Sequence, residues 1–208
     1  MSATPVFFHV SSLIGYVRVV LSAYALYVAL DDYKTSLFCY VFSFVLDFFD
    51  GYFSRRLHES PRFHSILDTV TDRCSTGGLL VVLSHLYPRL MHVFLFLLIL
   101  DFSSHWYHMQ SSHGPHKRVC SDRNYLLRLY YGLYPFFGYC CIGTELFYLL
   151  LYTLHFDSTL VLPVVDVSLQ SICLRVCLPA CILKSLVNIA QLASGAYAIA
   201  DEDAAHEK

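Results

Sequence analysis

Six stretches of this chain stay apolar over the roughly 20 residues that a helix needs to cross the hydrocarbon core of a bilayer. They fall at 10–30, 36–56, 63–86, 92–109, 130–154 and 168–197. A backbone in lipid must satisfy its own hydrogen bonds, which leaves helices for segments of this length. The pattern predicts an all-α, polytopic integral membrane protein with six transmembrane helices. Composition agrees: 14% of the residues are charged, against about a quarter in a soluble domain, and mean hydropathy is +0.52. The net charge of −2 gives no global field for nucleic acid, which is not expected as a partner. No repeat or long linker interrupts the chain, so residues 1–208 read as a single membrane domain. The start, MSATPVFFHV, lacks a basic region, and no cleaved signal peptide is expected. The eight cysteines sit mostly inside apolar runs without a CxxC pair. They read as small packing residues; Cys173, Cys177 and Cys181 share one helix face.

With six spans both termini lie on one side, together with the loops after the second and fourth spans. Those loops carry Arg55, Arg56, Arg62, Lys117, Arg118, Arg123 and Arg128, whereas the opposite side shows only Lys34 and Arg89. The positive-inside bias makes the first side cytosolic.

The polar exception inside this apolar chain is DFFDGYFSRRLHESPRFHSILDTVTD, residues 47–72. Asp47 and Asp50 stand three apart; Asp68 and Asp72 stand four apart. Each pair therefore shares a helix face. The polar, proline-containing RRLHESPR joins the two apolar flanks, so two antiparallel helices would each present a carboxylate pair near the loop. Four acids at a membrane boundary are costly to hold together. Such a set of oxygen ligands suits hard divalent ions, Mg²⁺ or Mn²⁺. Two such cations about 4 Å apart clamp a phosphoryl group, and a carboxylate left partly free takes a proton from an alcohol. Gly51 admits a ligand beside Asp50, and Arg55 adds a fixed charge. A site open to water and within reach of lipid fits a transferase that joins a lipid diphosphate to a water-soluble alcohol.

Other polar residues lie at membrane depth. Arg18 either snorkels to the interface or reaches the acid-lined site and holds a phosphate. Asp101, His105 and His108 share one face of the fourth span. They serve either as interhelical hydrogen-bond partners or as contacts to a neutral polyol. Glu145 and Lys184 lie near the middles of the last two spans. Arg128 opens the fifth span on the acidic side and is a phosphate candidate. The tail DEDAAHEK reads as a solvated end.

The pattern Asp47-x2-Asp50-Gly51-x2-Ser54-Arg55-x8-His64-x3-Asp68-x3-Asp72 resembles the signature of the CDP-alcohol phosphatidyltransferases, D-x2-D-G-x2-A-R-x8-9-G-x3-D-x3-D. Further runs, LIGYVR (13–18), RFHSILDTVTDRCST (62–76), DFSSHW (101–106), ELFYLLLY (145–152) and LKSL (183–186), are similar to the eukaryotic phosphatidylinositol synthase branch of that family. The resemblance implies transfer of a phosphatidyl group from CDP-diacylglycerol to myo-inositol. It also implies Asp47, Asp50, Asp68 and Asp72 as ligands of two cations and Asp72 as the general base. Gly51 would lie against the cytidine side and Arg55 would support the site. A six-helix bundle, a homodimer and the endoplasmic reticulum membrane are implied as well. Two positions depart from the signature. Ser54 replaces an alanine, and His64 replaces the second glycine, where an imidazole either contacts the cytidine or blocks it. The alternatives are a related transferase with serine, glycerol phosphate or choline as acceptor, and a homologue weakened or silenced by His64.

Overall fold

The computed structural model describes residues 4–57, 61–111, 125–158, 161–162 and 167–206. They form two compact units, Met1–His85 and Leu86–Lys208.

The first unit opens with a short turn of helix, α1 (Thr4–Phe7), and continues with α2 (Val10–Tyr27), α3 (Tyr33–Leu57) and α4 (Pro61–Leu86). Helix α2 is built inside out relative to a soluble helix. Its buried positions are Ser11, Ser12, Gly15, Arg18, Ser22 and Ala25, spaced so that small and polar residues form one stripe. Leu13, Val17, Val20, Tyr24 and Tyr27 are exposed. Lipid is as apolar as leucine, so membrane helices meet through small residues and hydrogen bonds, and large apolar side chains face outward. The Ser22 and Ser43 hydroxyls lie 2.9 Å apart, and Ser43 Oγ donates to the Arg18 carbonyl at 3.2 Å, tying α2 to α3. On the other side α2 meets α4 at two glycines. A Cβ on Gly15 would stand 2.7 Å from Leu67 Cδ2, and one on Gly78 would overlap Leu26. Asp32 starts α3: its carboxylate accepts from the Lys34 and Thr35 amides and from the Thr35 hydroxyl. These bonds hold its carboxyl below the usual carboxylate range.

The second unit begins with a 3₁₀ turn, Pro88–Leu90, leading into α5 (Met91–Ser111). Next come α6 (Tyr125–Gly132) and α7 (Tyr134–Phe156). Two-residue strands, β1 (Val161–Leu162) and β2 (Val167–Ser168), pair antiparallel. Helix α8 (Leu169–Ile172) then runs through a π-helical turn, Cys173–Cys177, into α9 (Leu178–His206). The Ser168 hydroxyl caps α8 by accepting from the Ser171 amide at 3.3 Å. Helix α9 packs on α5 and on α7. Close approach is again permitted by glycine: a Cβ on Gly195 would stand 3.1 Å from the Tyr107 carbonyl, and one on Gly143 2.5 Å from Ala180 Cβ. Leu127, Tyr130, Cys140, Val187 and Ala190 form the buried core where α6, α7 and α9 meet.

The fold is helical and polytopic, as hydropathy predicts. Among the described residues, five helices are long and apolar enough to cross a membrane: Val10–Tyr27, Tyr33–Phe53, Pro88–Ser111, Tyr134–Phe156 and Leu169–Ala204. The stretch expected as the third span is a helix, α4, 26 residues long, but it is not among these five. Its first half carries Arg62, Asp68, Asp72 and Arg73, and its second half carries no Asp, Glu, Lys or Arg. The expected fifth span, 130–154, is interrupted at Leu133, whose backbone is extended (φ −109°, ψ 95°). Pro135 in the first turn of α7 cannot donate to the preceding turn, so a new helix starts there. The acidic tail continues α9 as helix through His206, with Asp201 and Asp203 exposed. Cys173, Cys177 and Cys181 are buried free thiols.

Candidate active site

All four aspartates of residues 47–72 converge within the first unit, and the group at their centre is Arg18. Its Nη1 lies 2.6 Å from Asp50 Oδ2 and 2.6 Å from Asp68 Oδ1. Its Nη2 lies 2.8 Å from Asp47 Oδ1 and 2.6 Å from Asp72 Oδ1. The geometry follows from the helices. Gly15, one turn earlier on the same face of α2, lets α4 come close. The i,i+3 pair on α3 and the i,i+4 pair on α4 then point at the same place. Asp50 is fully buried, and Asp47, Asp68 and Asp72 are half-buried. Snorkelling is thereby replaced by the other reading of Arg18, reach into the acid-lined site. Its side chain is 3% exposed, and its Nε has no hydrogen-bond partner among the described residues.

The donor set fits divalent cations. It is made entirely of carboxylate oxygens, the hard ligands that Mg²⁺ and Mn²⁺ prefer. One oxygen each from Asp47, Asp50 and Asp68 lie within 4.8 Å of one another. One guanidinium serves four carboxyl groups, so the oxygens outnumber the positive charge offered to them.

His64 stands beside these acids. It is buried, with Nε2 3.8 Å from Asp50 Oδ1 and Nδ1 unpartnered among the described residues. The imidazole leans on the carboxylate cluster. His64→Gly is therefore expected to keep turnover within about threefold and to lower the melting temperature by roughly 2–4 °C, the effect of about 1 kcal/mol for a helical glycine. A turnover change beyond tenfold in either direction would assign the imidazole a part in substrate binding.

Gly51 lies half-buried on α3 next to Asp50. The side chains of Ser54 and Arg55 fall outside the described residues, as do Lys117, Arg118 and Arg123. Arg128 is exposed on α6.

Asp101, His105 and His108 belong to the second unit and line one face of α5, as their spacing predicts. His105 Nδ1 is 2.8 Å from the Asp101 carbonyl and 3.6 Å from Asp101 Oδ1. The His108 and Tyr131 rings stack at 5.8 Å, with Tyr131 Oη 3.2 Å from His108 Nε2. Sequence reasoning passed over Asn188 and Gln191, buried on α9. Asn188 Nδ2 donates to Asp101 Oδ1 at 3.1 Å, and Gln191 Nε2 donates to Tyr131 Oη at 2.6 Å. The signal was available: Lys184, Asn188 and Gln191 recur at steps of four and three in an apolar span.

Comparison with known proteins identifies the family. The family model for CDP-alcohol phosphatidyltransferase matches residues 8–111, which include Arg18 and all four acids. A Homo sapiens protein named CDP-diacylglycerol–inositol 3-phosphatidyltransferase is 40% identical over 205 residues, covering 96% of this chain and 95% of its own. A Schizosaccharomyces pombe protein of the same name is 35% identical over 216 residues, covering 95% and 91%. One from Drosophila melanogaster is 40% identical over 187 residues, covering 88% and 81%. No solved structure matches the chain.

Proposed function

Because this chain belongs to the CDP-alcohol phosphatidyltransferase family, we propose that it transfers the phosphatidyl group of CDP-diacylglycerol to myo-inositol, giving phosphatidylinositol and CMP. The observation that carries the reading is the convergence of Asp47, Asp50, Asp68 and Asp72 on one point of a membrane helix bundle. These four carboxylates would hold two divalent cations, Mg²⁺ or Mn²⁺, which supply charge stabilisation for the diphosphate. Asp72 takes the proton of the attacking inositol hydroxyl. The hydroxyl oxygen bonds to the phosphorus that carries diacylglycerol, the bond from that phosphorus to the CMP oxygen breaks, and CMP leaves with the electron pair. The unpartnered Arg18 Nε–H supports a contact to a diphosphate oxygen. Arg55, Ser54 and Gly51 contact the nucleotide side, which His64 lines without a contact that turnover depends on; Arg128 is a further phosphate contact, and Asp101, His105 and His108 serve the polyol.

The same proposal makes residues 1–208 one catalytic domain, with α4 as the sixth crossing. It places the protein in the endoplasmic reticulum membrane as a homodimer, with the site and both termini cytosolic.

The test is purified protein in detergent with Mn²⁺, CDP-diacylglycerol and labelled inositol. CMP release coupled to an inositol lipid, absent with Asp72→Asn, is the expected result. Coupling to serine, glycerol phosphate or choline instead would change the acceptor. CMP-free mixtures from folded protein would favour the silenced homologue, with His64→Gly as the restoring variant. Asp50→Ala is expected to raise the Mn²⁺ concentration for half-maximal turnover at least about tenfold, since it removes the most buried ligand. An unchanged Mn²⁺ profile would take Asp50 out of the ligand set.

A further inference from the structure

The α5–α9 seam of the second unit has a polarity that helix pairing does not explain. Asn188 is 4% exposed and Gln191 3%. Each amide spends a nitrogen on a neighbour, Asp101 for Asn188 and Tyr131 for Gln191. Each leaves its carbonyl oxygen buried without a donor among the described residues, Asn188 Oδ1 and Gln191 Oε1. Exchanging oxygen and nitrogen does not remove the deficit. On Asn188 it would set a carbonyl against the Asp101 carboxylate, and on Gln191 it would strand the amide nitrogen instead. Buried acceptors without donors are costly and rare, and these two stand three residues apart on one face of one helix. The neighbours do not supply the missing hydrogens. Asp101 brings another acceptor, and the Lys184 ammonium, one turn before Asn188, lies over the Tyr130 ring at 5.3 Å from its centroid.

A ligand that completes this seam must bring hydrogens on oxygen or nitrogen, at neighbouring positions, and must tolerate the Asp101 carboxylate. A polyol does so through adjacent hydroxyls. A polyol phosphate would set its negative charge against Asp101. We propose that Asn188 and Gln191 are the acceptor pair that binds a neutral polyol, each carbonyl oxygen receiving one of two adjacent hydroxyls. The assignment rests on the reading of myo-inositol as the alcohol and adds the residues that select it.

The experiment uses the full chain in detergent with Mn²⁺ and CDP-diacylglycerol, and measures KM and kcat for myo-inositol in wild type, Asn188→Leu, Gln191→Met and Gln191→Asn. The last keeps an amide and withdraws its carbonyl by one methylene, so it preserves folding. The expected result is a KM for inositol raised at least about tenfold in each variant, with kcat and the KM for CDP-diacylglycerol within about threefold, the split expected for a contact made equally in ground and transition states. Deoxy-inositols tested on wild type give a second readout without any substitution. Two adjacent positions should each lose at least about tenfold in kcat/KM, as in sites built to hydrogen-bond a substrate hydroxyl. If wild type makes inositol lipid while the variants keep its KM and no adjacent pair of deoxy positions matters, the seam holds water only and the assignment falls, leaving the reaction intact. Parallel losses in kcat and in both KM values would also overturn it, as a structural effect. If wild type makes no inositol lipid, the reaction itself falls and the assignment with it.

Discussion

Replacing Asp72 by asparagine is expected to lower turnover by about 10³-fold, within the 10²–10⁴ range of a positioned general base. Asparagine has the same size and keeps an oxygen that accepts from Arg18 Nη2, now at 2.6 Å from the carboxylate. It has no basic oxygen to take the inositol proton. The side chain of Asp72 is 36% exposed, against 1% for Asp50, which suits a group that meets an acceptor arriving from water. The other three acids still offer oxygens within 4.8 Å of one another, so Mn²⁺ binding, followed by electron paramagnetic resonance, should fall by less than about tenfold. Turnover is read as CMP release. Wild-type turnover in this variant would remove Asp72 as the base, and loss of Mn²⁺ binding in step with turnover would make it chiefly a ligand.

The second large effect belongs to Arg18→Gln, and its sign depends on cations. The guanidinium bonds all four carboxylates, one of them fully buried. Removing one partner of a buried charge cluster costs about 3–5 kcal/mol. In a chain of this size that is a fall of roughly 10 °C in melting temperature. Glutamine takes away a positive charge and no ligand, so divalent cations should bind the variant more tightly than wild type. Added Mn²⁺ should then raise its melting temperature by more than it raises that of wild type. Thermal melts at a series of Mn²⁺ concentrations, paired with the affinity from electron paramagnetic resonance, check both halves. Equal destabilisation with and without Mn²⁺, or weaker Mn²⁺ binding by the variant, would sink the idea that arginine and cation contend for the same oxygens.

The spacing of Asp47 with Asp50 and of Asp68 with Asp72 is a local matter, and helix geometry alone sets each pair on one face. That is why the cluster could be read from the sequence. The partner of the cluster was harder to read. Residue 18 is separated from Asp50 by a whole helical hairpin, and no local rule connects them. Two small residues, Gly15 and Gly78, decide how near α2 lies to α4, and their effect depends on Leu67 and Leu26 across the interface. Hydropathy found the helices, α4 among them, although the first half of α4 carries Arg62, Asp68, Asp72 and Arg73. It also ran through Leu133, because a break made by Pro135 leaves the residues on either side apolar. On α9 the spacing of Lys184, Asn188 and Gln191 was legible, but which end of each amide is used depends on Asp101 and Tyr131, far along the chain.

Arg18 has a consequence for the order in which this protein is made. Everything in the acidic cluster, Arg18 included, lies between residues 18 and 72, in three helices that precede the second unit in the chain. An unpaired aspartate entering lipid is a barrier to insertion. Here the first helix carries the neutralising charge into the bilayer ahead of the acids. The hairpin that follows meets a counter-charge already in the chain.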